Sequence, residues 1–212
     1  MPVTLDADSL AIAAKRLARI DPVLAKVHQQ HGPPPLWKRP ANLASLIRII
    51  LEQQVSIAAA KGTFDRLKSA CGGRVSAERI RSLGQAGLRE LGFSRQKARY
   101  TDVLVENVLA RKFRVGQLRH MEDHEVRKQI TSQLGLGDWS ADVFLLLALC
   151  RPDIFPVGDL AIVKGVEYLE QQSYPETQNL LDRAEAWRPY RSVAARMIWQ
   201  SYVIRKNRVF DP

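Results

Sequence analysis

The sequence predicts an all-α fold. Three observations carry that reading: apolar residues recur at helical spacing along the chain, no segment alternates like a half-buried strand, and no proline occurs from Ala41 to Arg151. At 212 residues, 46% of them hydrophobic, the chain is long enough to bury a substantial core.

The elements follow in order. Leu10, Ala13, Ala14, Leu17 and Ile20 form the i, i+3, i+4, i+7 stripe of an amphipathic helix. "HGPPPLWKRP", His31 to Pro40, reads as a stiff, extended connector, because consecutive prolines cannot sit inside a helix. Leu43, Leu46, Ile47, Ile50 and Leu51 repeat the helical stripe, and Arg99 to Leu109 and Glu122 to Leu134 read the same way. "LGLGDWSADVFLLLALC", Leu134 to Cys150, joins a flexible Gly-Leu-Gly turn to what reads as the most buried helix. Asp159 follows Pro156 and Gly158 and opens another apolar helix. The total is ten or more short helices.

Composition excludes several function classes. The longest strictly apolar run, Val143 to Cys150, is too short to cross a bilayer, and the first residues lack the basic start and apolar core of a secretory signal. No membrane partner and a cytoplasmic location are therefore expected, nucleoid-associated if the source is bacterial. Cys71 and Cys150 are the only cysteines, which rules out both a disulfide framework and a four-cysteine iron–sulfur site. The net charge of +10 is uneven: residues 61–119 hold 14 Lys and Arg against 5 Asp and Glu, whereas residues 120–170 hold 4 against 9. A basic region beside an acidic one is either a solvated surface or a face for a polyanion such as nucleic acid.

Two short stretches carry candidate chemistry. Gly135-Leu136-Gly137 between two helices makes a helix–hairpin–helix whose backbone N–H groups suit a phosphate; a GxG at a helix end also serves simply as a cap. The dinucleotide fingerprint fails, since its third glycine would fall at Ser140 and no strand precedes it. Asp159 sits where an N-cap belongs, and equally where a carboxylate can be held at a helix start. The two roles are compatible.

At these residues the sequence resembles the helix–hairpin–helix (HhH-GPD) superfamily of base-excision DNA glycosylases, specifically its 3-methyladenine DNA glycosylase II branch. Four stretches carry the resemblance in the family's order and spacing: "LASLIRIILEQQVSIAAA", "LRELGFSRQKARYTDVL", "LGLGDWSADVFLLLALCRPDIFPVGDLAI" and "WRPYRSVAARMIW". The resemblance implies a single domain over residues 1–212 with two helical lobes and the active-site cleft between them. About 35 residues precede Leu36, so the β-rich first lobe of larger relatives is expected to be absent.

The implied activity is monofunctional: an alkylated purine is flipped out of double-stranded DNA and released by hydrolysis, leaving an abasic site. Asp159 matches the family's catalytic aspartate. Trp139 stands where bifunctional relatives keep a Schiff-base lysine, so no lyase step is expected, and Trp139 and Trp199 match base-pocket positions. Gln53, Gln54 and Ser56 fall at the turn that reaches DNA, with Gln54 best matched to the residue that fills the gap in the duplex. Gly135 and Gly137 belong to the hairpin; Ser94, Arg95, Lys97 and Arg99 are candidates for backbone phosphates. Arg188, Arg191 and Ser192 fall in the last motif, as braces or as DNA contacts. No cofactor and no side-chain metal site are expected, though the hairpin carbonyls of Leu134 and Leu136 could hold a monovalent cation. A monomer is expected. The competing readings are a non-catalytic DNA-binding scaffold, or a glycosylase for deaminated or etheno bases or uracil.

Overall fold

A computed structural model describes residues 2–207. Among them the chain forms eleven α-helices: α1 (Ala7–Ile20), α2 (Pro22–His31), α3 (Leu43–Glu52), α4 (Ile57–Ala70), α5 (Ala77–Glu90), α6 (Arg95–Leu109), α7 (Asp123–Thr131), α8 (Asp138–Val143), α9 (Leu160–Glu170), α10 (Thr177–Glu185) and α11 (Arg191–Arg205). A 3-10 turn spans Val115–His120, a π turn spans Phe144–Ala148, and no strand occurs among the described residues. The all-α expectation holds. The chain divides into two compact units, residues 39–144 and residues 2–38 with 145 onward.

In the first unit α3 is the core helix. Leu46, Ile47, Ile49 and Ile50 are fully buried, and α3 packs on α4, α6 and α8, while α5 lies on α6 and α7 on α8. The helix starts are set locally. Asn42, Ser56, Ser76 and Ser94 each accept a backbone N–H three residues on, satisfying a donor that the helix itself cannot. The Ser94 cap explains why α6 begins at Arg95, four residues before the start read from the apolar stripe.

In the second unit α11 is buried from Ser192 through Ser201 and packs on α9, α2 and α1. Glycine at position 165 permits the α9 contact: a Cβ there would lie 2.5 Å from Ile198 Cγ2. A glycine inside a helix costs about 1 kcal/mol relative to alanine, and close approach to α11 is its physical reason. Asp21 caps α2 through Val23 N and Leu24 N and also accepts the Trp187 indole N–H at 2.7 Å and the Arg183 guanidinium, tying α10 to the first helices.

Two boundaries differ from the sequence reading. α7 stops at Thr131 rather than Leu134, because the Gln133 and Leu136 N–H groups bond the carbonyls three residues back, Ile130 and Gln133, and start the hairpin. The apolar run is buried at every residue from Ser140 to Arg151, as expected, but it is not one helix. α8 passes into the π turn, and Cys150 takes left-handed backbone at φ 53°.

Candidate functional site

The hairpin of the first unit is built on two unlike glycines. Gly135 has φ 81°, in the left-handed region, and a Cβ there would run into the Tyr100 ring on α6. No other residue fits. Gly137, the N-cap of α8, has φ −104°, and a Cβ there would meet nothing within 4 Å. Its surface faces open space, which is the geometry of a backbone left bare for a ligand to approach.

Gln53 braces this hairpin. Its side-chain amide donates to Gly135 O at 2.8 Å and to Ser140 Oγ at 3.2 Å, so it is spent on the protein. Lys97 is turned inward as well: its ammonium donates to Leu51 O at 2.7 Å and Gln53 O at 2.8 Å, covering carbonyls that the end of α3 leaves open. Burial pushes the Lys97 ammonium below the usual lysine range. Both residues were expected at DNA; in the structure the Gln53 amide fixes the turn to the hairpin and the Lys97 ammonium fixes it to α6. Ser56 and Ser94 spend an oxygen lone pair on caps, at 3.2 Å to Ala59 N and Lys97 N. Gln54 is exposed at φ 57°, with Val55 and Ser56 exposed beside it, so the turn between α3 and α4 presents its tip outward. Trp139 is half-buried on α8. The Gly135 carbonyl is taken by Gln53, and no hydrogen bond to the Leu134 or Leu136 carbonyls is found among the described residues.

The second unit holds Asp159 at the start of α9. Its Oδ1 accepts Ala161 N at 2.9 Å, Ile162 N at 3.1 Å and the Trp199 indole N–H at 3.2 Å. Three donors on one oxygen exhaust its acceptor capacity and fix the rotation of the carboxylate. Trp199 is only 4% exposed, so its ring offers almost no face for stacking; its place in the site is as a brace on Asp159.

The loop that leads to Asp159 is pinned by the start of α11. Ser192 Oγ accepts Ile154 N at 2.8 Å, and Ser192 N donates to Pro152 O at 3.0 Å. Arg191 and Arg188 both reach the Asp153 carboxylate, at 2.9 and 2.7 Å. These late-motif residues act as braces, the first of the two roles open to them. A single helix thus holds the loop at one end and its terminal carboxylate at the other.

Sequence reasoning missed Tyr100, whose ring dictates Gly135, and a groove of about 510 Å³ lined by Gln85, Arg95, Gln96, Arg99, Tyr100 and Leu134. The basic run marked the region but not the shape. Among the described residues no group of three or more His, Cys, Asp and Glu is gathered as a metal site, and no helix is long and apolar enough to cross a membrane.

Comparison with known proteins places this geometry. The model of the HhH-GPD superfamily of base excision DNA repair proteins matches residues 47–189. A Bacillus subtilis protein, YfjP, is 25% identical over 186 residues, which cover 84% of this chain and 65% of that protein, so the chain spans just under two thirds of that relative's length. DNA-3-methyladenine glycosylase 1 of Schizosaccharomyces pombe is 26% identical over 182 residues, covering 84% of this chain and 80% of that protein. Among solved structures, the DNA-3-methyladenine glycosidase of Bacillus halodurans has a TM-score of 0.74 at 27% identity, covering 97% of this chain and 94% of that one. The S. pombe glycosylase Mag1, solved with abasic DNA, has a TM-score of 0.79 at 24% identity, covering 94% and 98%.

Proposed function

Because the chain belongs to the HhH-GPD superfamily of base excision DNA repair proteins, we propose that it is a monofunctional DNA glycosylase that releases alkylated purines of the 3-methyladenine type from double-stranded DNA. The observation that carries this reading is the Asp159 carboxylate, fixed at the start of α9 by two backbone N–H groups and one indole N–H. Asp21 is held in the same way as a structural cap of α2, so what singles out Asp159 is its match to the family's catalytic aspartate within the matched residues 47–189.

The N-glycosidic bond breaks through a sugar with oxocarbenium character. A preorganised carboxylate stabilises that positive charge and orients or deprotonates the attacking water. An alkylated purine is already cationic and leaves as a neutral base, so the site needs little acid catalysis. In the hairpin, Trp139 offers no amine for a Schiff base, so the product is an intact abasic site. The bare backbone at Gly137 takes a DNA phosphate, the exposed turn at Gln54 fills the gap left by the flipped nucleotide, and a monovalent cation on the Leu134 and Leu136 carbonyls would help bridge to that phosphate. The protein acts as a monomer and needs no iron–sulfur cluster.

The test is a base-release assay on duplexes that each carry one defined lesion, with Asp159→Asn as control. The amide still caps α9, so the variant folds and binds lesion DNA, while base release falls by a factor on the order of 10²–10³. Wild-type turnover by the folded variant removes Asp159 from the mechanism, and preferential release of uracil or a deaminated or etheno base reassigns the substrate.

A further inference from the structure

We infer that the Arg39–Glu52 ion pair positions the turn between α3 and α4 for entry into the duplex, holding Gln54 in its inserting conformation before DNA arrives. The inference rests on the proposed reading that Gln54 fills the gap left by the flipped nucleotide, and it adds two residues which that reading does not contain. Arg39 and Glu52 are positioning residues, since they act through the turn and not on the DNA.

Two guanidinium nitrogens of Arg39 donate to the two carboxylate oxygens of Glu52, at 2.9 and 2.7 Å, in the planar fork that arginine offers a carboxylate. The side chains are only 3% and 12% exposed. Arg48 Nε reaches the same carboxylate at 3.2 Å. Glu52 is the last residue of α3, the end at which the helix dipole disfavours a carboxylate, so helix stability does not account for an acid there. What the acid does is fasten a strap. Pro40 O accepts the Ser45 hydroxyl at 2.5 Å and Asn42 caps the first turn of α3, while Arg39 takes hold of the helix's last residue. Residues 39–42 thus clamp α3 at both ends. A buried ion pair contributes little net stability, and its use here is to fix one arrangement.

Where the clamp ends, the exposed turn begins. Gln53 is bound to Gly135 O and Ser140 Oγ, and Lys97 holds the Leu51 and Gln53 carbonyls, so residues 51–53 are anchored from three directions. Gln54, Val55 and Ser56 are all exposed, and Gln54 sits at φ 57°, a left-handed conformation unfavourable for a side chain of its size. Such strain persists only where the surroundings over-determine it. A glutamine also buries little apolar surface on entering a base stack, so its entry does not offset the entropy of ordering a loose turn. A turn held rigid at its base and bare at its tip removes that cost in advance.

The experiment follows insertion directly. A short duplex carries a tetrahydrofuran abasic analogue opposite 2-aminopurine, whose fluorescence changes when a side chain enters the gap and disturbs its stacking. In stopped flow, Arg39→Gln and Glu52→Gln should each slow the insertion phase roughly tenfold, a coupling ordinary for residues in one contact network. Arg39→Lys keeps the charge but loses the fork, and recovers part of the rate. The salt slope of binding stays at the wild-type value, as it would not for an arginine on a phosphate. Where Arg39→Gln melts early, Glu52→Gln, which keeps the side-chain shape, decides. Single-turnover base release from a lesion duplex completes a cycle with Gln54→Ala, and the Arg39→Gln effect disappears in that background. A wild-type insertion phase in Glu52→Gln, or an Arg39→Gln effect undiminished by Gln54→Ala, overturns the role of the pair and leaves the glycosylase reading intact. A wild-type protein that shows the insertion phase but releases no alkylated base overturns the glycosylase reading and leaves the pair standing.

Discussion

Asp159 shows how little of a site one residue supplies. Among the described residues its Oδ1 accepts three donors, two from the first turn of α9 and one, the Trp199 indole, from α11. A hydrogen bond to a charged group is worth about 1.5–3 kcal/mol, so Trp199→Phe is expected to slow base release roughly tenfold or more at saturating enzyme, with binding unchanged. Replacing Trp199 by benzothienylalanine keeps the bicyclic shape and removes only the N–H. The same loss is expected, whereas wild-type turnover by that variant would mean that the ring acts through packing alone. The two hairpin glycines separate in the same way. Gly135→Val meets both a left-handed φ and the Tyr100 ring, and should melt early. Gly137→Val has neither obstacle. It should fold normally, bind lesion and undamaged duplexes more weakly by a similar factor, and lose about 0.9 of salt slope. A Gly137→Val protein with unchanged slope would leave the hairpin a purely structural turn.

Among the elements, α6 repays the closest reading, because its sequence suggested one role and its geometry gives another. Ser94, Lys97 and the neighbouring arginines look alike in sequence, as polar residues in a basic run. What separates them is distance along the chain: the carbonyls that hold Lys97 lie 44 and 46 residues away, and the one that holds Gln53 lies 82 away. No local pattern encodes such partners. What was legible is local: the apolar stripe of α1, the buried run from Ser140, and Asp159 as the cap of α9, each fixed by spacing of a few residues. The π turn was not legible, since every residue from Phe144 to Ala148 is apolar and the register shift changes no side-chain chemistry. Lys97→Met tests the reassignment. It leaves the Leu51 and Gln53 carbonyls without their donor, at a cost of about 2 kcal/mol, and should speed hydrogen exchange through residues 51–56. The salt slope of DNA binding should not move. A loss of about 0.9 would return Lys97 to the phosphate backbone.

On the scale of the whole molecule, the second unit is discontinuous in sequence: residues 2–38 must assemble with residues 145 onward. Apolar packing of α1, α2 and α9 on α11 supplies most of the driving force, but it does not specify which irregular segments close the unit. Arg196 supplies that specification. It is fully buried on α11 and donates to Leu36 O in the connector at 3.0 Å, to Leu146 O in the π turn at 2.7 Å, and to Ser192 O in its own helix at 3.2 Å. Burial lowers its guanidinium to about 10, still well above neutral pH, so the three carbonyls face a cation. Arg196→Met fills much of the volume but leaves those carbonyls buried without partners, at roughly 1 kcal/mol or more each. The melting temperature should fall by roughly 6–12 °C for a chain of this length. The distribution of the damage is the sharper measurement. Hydrogen exchange should accelerate at amides of residues 2–38 and 145–207 and stay near wild type within residues 39–144, because none of the three carbonyls belongs to the first unit. Uniform acceleration across both units would mean that the chain unfolds as one cooperative body, and that Arg196 stabilises the whole rather than closing its own unit.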